Sequence, residues 1–316
     1  MIVENFDAND ATKSYYKVIL PSKNLAEAKL DSTISRFMIE LTADNSINYR
    51  EYDDLFQNAR HIGIWFADKK MFDICQINIR EAISLYSYSY KTLVENMQTL
   101  KNLLLFEASS LHLHKGVFES NSLEIIKFNG SKEKNLLPFH QLKSLKQMIF
   151  VDRTIETFEG IEELTALEYM EFGACAKLRT LDHLANSRSL KALYIQSNAK
   201  IASTFEFLMD MPSLKALVLL DVGEIPTLKF LREHPSLELI SVIGKTKILD
   251  GKISCLLDNP KIKSLDFQDK KGYDLINEQV PESKKFHQSK NIIIQYSRRA
   301  VELCGGNLAE FDAQLV

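Results

Sequence analysis

His112 and His114, in the stretch SLHLHK, are the tightest metal-like spacing in the chain. Residues two apart on a strand share a face, so the pair could offer two imidazole nitrogens to zinc. No third or fourth ligand stands near them in sequence, so they read as surface or turn histidines. The four cysteines, Cys75, Cys175, Cys255 and Cys304, are far apart and form no CxxC. They suggest no disulfide framework and fit a reducing, cytoplasmic setting. Cys175 has no adjacent base to activate its thiol. Cys304, just before two glycines, reads as a buried helix residue. Gly-rich phosphate loops, GxSxG and HExxH do not occur, so no catalytic residue, metal or cofactor is expected.

Composition narrows the partners. Lys and Arg number 39 against 42 Asp and Glu, a net charge of −3. With no global basic footprint, neither nucleic acid nor an anionic membrane is an expected partner. The N-terminal MIVENFDANDATKSYYKVILPS lacks the basic-then-apolar order of a secretory signal, and no apolar run is long enough to span a bilayer. The hydrophobic fraction of 45% allows a packed core over most of the 316 residues. That length suits two domains or one elongated array.

Self-similarity favours the array. The pattern L-x-x-L-x-L, with apolar replacements, starts at Leu100, Leu123, Leu145, Leu167, Leu190, Leu214, Leu237 and Ile262. Successive starts lie 23, 22, 22, 23, 24, 23 and 25 residues apart. The second position is always Lys or Glu, as expected of a residue outside the core. Between these stretches, apolar residues recur at three- to four-residue spacing, as in Ile155, Phe158, Ile161 and Leu164, or Ile225, Leu228 and Leu231. That spacing predicts a short helix or 3₁₀ segment with one buried face. Pro212, Pro235 and Pro260 follow three such segments and would stop them before the next strand. One strand-plus-helix unit cannot bury its own apolar edge, but stacked units share a continuous core.

These repeats resemble the leucine-rich repeat family, over residues 99–270 most clearly. Their convex spacing looks like the 22-residue type of bacterial internalins and of protein phosphatase regulatory subunits. The resemblance implies an α/β solenoid, a horseshoe with parallel concave strands, convex short helices or 3₁₀ segments, and a cap at each end. The family usually places Asn or Cys three residues after the last strand leucine, to bond the turn backbone. Here Ala108, Ser131, Arg153, Cys175, Asn198, Val222, Lys245 and Lys270 stand there, and only Cys175 and Asn198 match. The other turns must satisfy their amides by different means.

Stretches 61–66 and 82–86 read as earlier strands, with Ile64, Leu85 and Leu105 in equivalent places, so the array covers 61–270. Residues 1–60 read as an N-terminal cap or a small α+β domain, with extended or mixed stretches at 15–20 and 33–41 and a helix over 52–59. Residues 271–316 read as a C-terminal cap, polar at first and then helical from Asn291 to Cys304.

Side chains between the core leucines should point out from the concave sheet. The central outward row reads Leu104, Lys127, Ile149, Glu171, Tyr194, Val218, Ser241 and Asp266. The next reads Phe106, Asn129, Val151, Gly173, Gln196, Leu220, Ile243 and Gln268. Ile125, Tyr169 and Leu239 come from the row before. A solvated sheet face would alternate to polar residues. This one carries Ile149, Val151, Tyr169, Tyr194, Val218, Leu220 and Ile243, beside Glu171, which marks it as a binding surface unless a terminal cap folds over it. Asp152, Asp221 and Asp269, with Glu107, would add an acidic rim suited to a basic partner.

The expected function is a non-catalytic module, monomeric by itself, that binds a protein along this face, with Tyr169 and Tyr194 as anchors. Two narrower versions are a bacterial immunity or inhibitor protein and an effector adaptor. Two other classes are an enzyme with its site in a terminal cap and a self-assembling structural protein.

Overall fold

The computed structural model describes residues 16–20, 36–41, 48–56, 59–66, 71–196, 205–286, 292–303 and 308–313. Asn198, Asn291 and Cys304 lie outside these residues. The chain divides into two compact units, Met1–Ser131 with Arg298–Gln314, and Lys132–Ser297 with Leu315–Val316.

In the second unit six strands pair in parallel in chain order: Gln147–Val151, Tyr169–Gly173, Ala192–Gln196, Ala216–Leu220, Leu239–Ile243 and Ser264–Phe267. Their register aligns the repeat pattern. Met148, Met170, Leu193, Leu217, Ile240 and Leu265 form one row. Phe150, Phe172, Ile195, Leu219, Val242 and Phe267 form the row beside it, and both rows are buried. Short 3₁₀ turns pack beneath them, among them Ile161–Glu163, Asp182–Asn186, Glu206–Asp210, Lys229–Glu233 and Ser254–Asp258. The last three end just ahead of Pro212, Pro235 and Pro260. Their buried residues include Ile161, Leu184, Leu208, Leu231 and Leu256. A cavity in this core, such as Leu193→Ala would open, costs about 2–5 kcal/mol. Gly160 lets neighbouring turns approach, because a Cβ there would lie 2.6 Å from the Leu137 backbone nitrogen.

In the first unit six more strands pair in parallel in chain order, Tyr16–Leu20, Arg36–Leu41, His61–Phe66, Ser84–Tyr88, Leu105–Ala108 and Ile125–Asn129, and two short strands, Met71–Asp73 and Leu93–Glu95, form a separate parallel pair. A 3₁₀ turn at Tyr49–Tyr52 leads into the short helix Asp53–Phe56. Pairing corrects the reading of one repeat. Phe106 stands opposite Leu85 and Ile126, while Leu105 stands opposite Ser84 and Ile125. The repeat therefore runs from Leu103 through Phe106 to Ala108, three residues later than a start at Leu100. Phe106 belongs to the core and Leu105 to the outward side, the reverse of the expectation, and Glu107 replaces Leu104 in the central outward row. Nor are Ile64, Leu85 and Leu105 equivalent, because Ile62 pairs with Leu85 and Ile64 with Ser87. The stretch LKNLLLF accommodates two overlapping matches to the pattern, and only the ladder hydrogen bonds choose between them.

Side chains other than an asparagine row bond the turns. The serine that precedes several of the strands reaches back one repeat. Ser122 donates to the Leu103 carbonyl at 2.9 Å, Ser213 to Arg188 at 2.7 Å and Ser236 to Leu214 at 2.8 Å. Thr246 accepts from the Val222 amide at 3.1 Å and donates to the Leu219 carbonyl at 3.0 Å. Asn259 donates to the Leu231 and His234 carbonyls, both at 3.0 Å. Cys175 is buried, its thiol 3.4 Å from the Gly173 carbonyl, and burial pushes its pKa up to about 12. It is a structural thiol, since the reactive form is the thiolate.

His114 does the same work in the first unit. It is 4% exposed, with Nε2 2.6 Å from Ser87 Oγ and Nδ1 3.1 Å from the Ser110 carbonyl. The carbonyl can only accept, so Nδ1 carries the proton and Nε2 accepts from Ser87. His112 turns instead to the Gly130 carbonyl, 3.0 Å from Nδ1. Burial lowers the His114 pKa from 6.5 to about 4. The unfolded chain therefore binds a proton that the folded chain refuses between those pH values. The stability from neutral His114 is full above pH 6.5 and is lost as pH falls through the folded value of about 4. Urea melts from pH 7 to pH 4 are expected to show a decline on the order of 3 kcal/mol that His114→Gln flattens. A parallel decline in both proteins would sink this assignment.

Candidate functional site: the outward strand face

The outward side of the second unit is built by the strand residues that the core rows leave over. Its first row, opposite one another in the ladder, is Gln147, Tyr169, Ala192, Ala216, Leu239 and Ser264. The central row is Ile149, Glu171, Tyr194, Val218, Ser241 and Asp266. The third includes Val151, Gly173, Gln196, Leu220 and Ile243. The expected rows are thus placed side by side here.

A helix lies on part of them. Ile292–Leu303 belongs to the C-terminal stretch, and in the second unit its Tyr296 joins a buried cluster with Tyr169, Ala192, Ala216, Val218 and Leu239. Ile149, Tyr194, Ile292 and Ile293 pack against the cluster. The Tyr169 and Tyr296 rings stack with centroids 5.0 Å apart and planes 12° from parallel. Such a pair is worth about 0.5–1.5 kcal/mol beyond the area it buries. Tyr169 is left 4% exposed and Val218 5%. The open anchor that sequence suggested at Tyr169 is therefore taken by the chain's own Tyr296. The Tyr169 hydroxyl donates to Glu171 Oε2 at 2.6 Å. Burial, then the Glu171 carboxylate, pushes the Tyr169 phenol far above its ordinary range and raises Tyr194 as well.

Ile149, Tyr194, Glu171, Leu220 and Ile243 stay partly exposed, and Val151 is 45% exposed. The three rim aspartates serve the backbone. Asp152 is 1% exposed and accepts from the Thr154 amide and hydroxyl at 2.7 and 2.6 Å. It faces inward, because its carboxylate closes a turn, and adds nothing to a rim. Asp221, at φ 54°, accepts from the Lys245 amide at 2.6 Å, and Asp269 accepts from the Asn277 amide at 2.7 Å. These two keep some exposure.

The first unit uses the last residues of the same helix. Ala300 and Leu303 form a buried cluster with Leu105 and Ile125, with Ile83, Leu104 and Tyr86 packed against it. Arg299 donates to both oxygens of Glu124 at 3.2–3.3 Å, and Nη1 donates to Glu302 at 3.1 Å. A separate aromatic pair, Trp65 and Tyr88, lies in register on neighbouring strands with centroids 6.3 Å apart, and Trp65 is 52% exposed. The sequence reading allowed that a terminal cap could fold over the strand face but named none of these helix contacts, and it missed the aromatic pair. A signal for the first was present: Ile292, Ile293, Tyr296, Ala300 and Leu303 make one apolar helix face with no repeat of its own to bury it.

In the second unit, charged second residues of several repeats pair across strands, Lys191 with Glu168 at 2.7 Å and Lys263 with Glu238 at 2.7 Å. Among the described residues, no three of His, Cys, Asp and Glu converge as a metal site requires. No described helix is long and apolar enough to cross a membrane.

No protein-family model matches the chain, and no curated protein does. Solved structures do. An internalin of Listeria monocytogenes is 19% identical, with a TM-score of 0.49 over 75% of this chain and 68% of that one. A chain of the Drosophila Toll–Spatzle complex is 16% identical, with a TM-score of 0.52 over 75% of this chain and 33% of that one. This chain therefore spans a third of the length of that neighbour. The mouse RP105/MD-1 complex matches at 13% identity and a TM-score of 0.44 over 75% of this chain and 48% of that one. With the parallel register and the repeat pattern, the fold is a leucine-rich repeat solenoid.

The Arg299–Glu124 contact is half in solvent, with side chains 39% and 16% exposed. A double-mutant cycle through Arg299→Ala and Glu124→Ala is expected to give a coupling of no more than about 1 kcal/mol, shrinking at 1 M salt. A larger, salt-independent coupling would contradict this.

Proposed function

We propose that the chain is a non-catalytic module that binds a protein partner on the outward strand face of the second unit. The observation that carries this is the third outward row. Leu220 and Ile243 stand side by side on neighbouring strands, and Val151, 45% exposed, stands at the other end of the row beyond Gly173 and Gln196, all on the turn side of the Tyr296 footprint. Gln196 in the same row, and Tyr194 and Glu171 in the next, supply polar groups beside them. Apolar side chains interleaved with polar groups are the composition of a protein interface. The Toll match comes from a complex of two proteins, which agrees with this reading. Tyr169, Tyr194 and the nearby buried Cys175 all have raised pKa values, so none of the three is an activated nucleophile.

The test replaces side chains that touch no core row. Affinity capture with wild type is compared with Val151→Asp/Ile243→Asp, each checked for fold by circular dichroism. Loss of two interface anchors is expected to weaken a captured protein by about thirtyfold or more. Equal capture by a folded variant would remove this face from consideration.

A further inference from the structure

The helix Ile292–Leu303 occupies the strand face without being required by the core beneath it. The core rows, Met170, Leu193, Leu217 and Ile240 among them, are fully buried on the other side of the sheet. Their partners are the 3₁₀ turns, whereas Tyr296 touches only the outward rows. A helix of 12 residues is marginal in water, and this one opens with three β-branched isoleucines. Its helicity thus depends on docking, while the solenoid's stability rests on the inner rows.

We infer that Ile292–Leu303 is a displaceable internal ligand, and that the outside partner is an amphipathic helix of the same chemistry. The face states that chemistry. Ala192 and Ala216, with no side chain beyond Cβ, leave room over the strands for a helix to approach. The flat ring of Tyr169 offers a stacking platform. Burial, then the Glu168 carboxylate, holds the Tyr296 phenol above its ordinary range, so its hydroxyl stays protonated. A partner helix therefore carries two adjacent aliphatic residues and, one turn on, a tyrosine. This is helix-in-groove recognition, read from the occupant already seated. The inference rests on the protein-binding reading, and identifies the partner class for that same face.

The probe is a fluorescein-labelled peptide of residues 292–303, added to the full chain. Wild type is compared with Ile293→Asp/Tyr296→Ala, which weakens the internal helix and leaves the face intact. Because an occupied face lowers apparent affinity by the fraction free, the variant is expected to bind the peptide at least about tenfold more tightly than wild type. Adding Val218→Asp to that variant should abolish binding. Equal affinity for both proteins, or no binding by a variant that melts cooperatively, overturns the proposal.

If the variant fails to fold, hydrogen exchange on the wild type decides. Amides of Tyr296–Leu303 exchanging about tenfold or more faster than those of Met170–Phe172 support release of the helix alone. Exchange at one common rate overturns it, because the helix then leaves only on global unfolding. Peptide binding needs no natural partner, so its failure is read separately from a failed capture.

Discussion

Parallel backbone pairing is the constraint on which everything else in this protein depends. A strand of five residues with a single 3₁₀ turn cannot bury its apolar edge alone, and only a neighbour at the same register completes the core. The ladder bonds, such as Ala192 N to the Glu168 carbonyl at 3.0 Å and Leu239 N to Lys215 at 2.9 Å, hold that register. Because side chains alternate along a strand, the same bonds that send Met170 and Leu193 inward send Tyr169, Glu171 and Tyr194 outward. Core and outward face are two results of one choice.

Several strands here are buried on both sides. Leu239–Ile243 and Ala216–Leu220 are each buried at four of their five residues. In parallel sheets such continuous apolar runs mark strands covered on both faces. The turns cover one face, and the helix covers part of the other. Small residues at Ala192 and Ala216 and a flat ring at Tyr169 suit a helix as cover, while Leu220, Ile243 and Val151 extend beyond it. Occupied and open surface thus meet along the same strands.

The turn chemistry explains how degenerate repeats stay ordered. Where the usual asparagine is missing, Ser122, Ser213, Ser236, Thr246, Asn259 and His114 bond backbone groups of the preceding repeats or turns. Asp152, Asp221 and Asp269 do likewise, and for that reason they are poor evidence of an acidic docking rim. A charge counted along a sequence carries no direction. These carboxylates point at backbone amides, and a short-range count cannot distinguish that from a carboxylate in solvent.

Spacing alone made the solenoid legible. Apolar residues at fixed intervals from Leu123 to Phe267, the serines before several strands and the prolines after three of the turns all follow from local periodicity, and each keeps its place in the structure. Periodicity failed where two matches overlapped. In LKNLLLF the hydrophobic pattern is satisfied by either of two registers, and only the partners Leu85 and Ile126 decide that Phe106 faces the core. The face over which Tyr296 lies was equally undecidable. Ile292, Tyr296, Ala300 and Leu303 announce an apolar helix face, but no local rule says which surface receives it. Tyr169 and Tyr296 are 127 residues apart in sequence and 5.0 Å apart in space. Only tertiary packing, in which the strand face and the helix bury each other's apolar surface, brings them together.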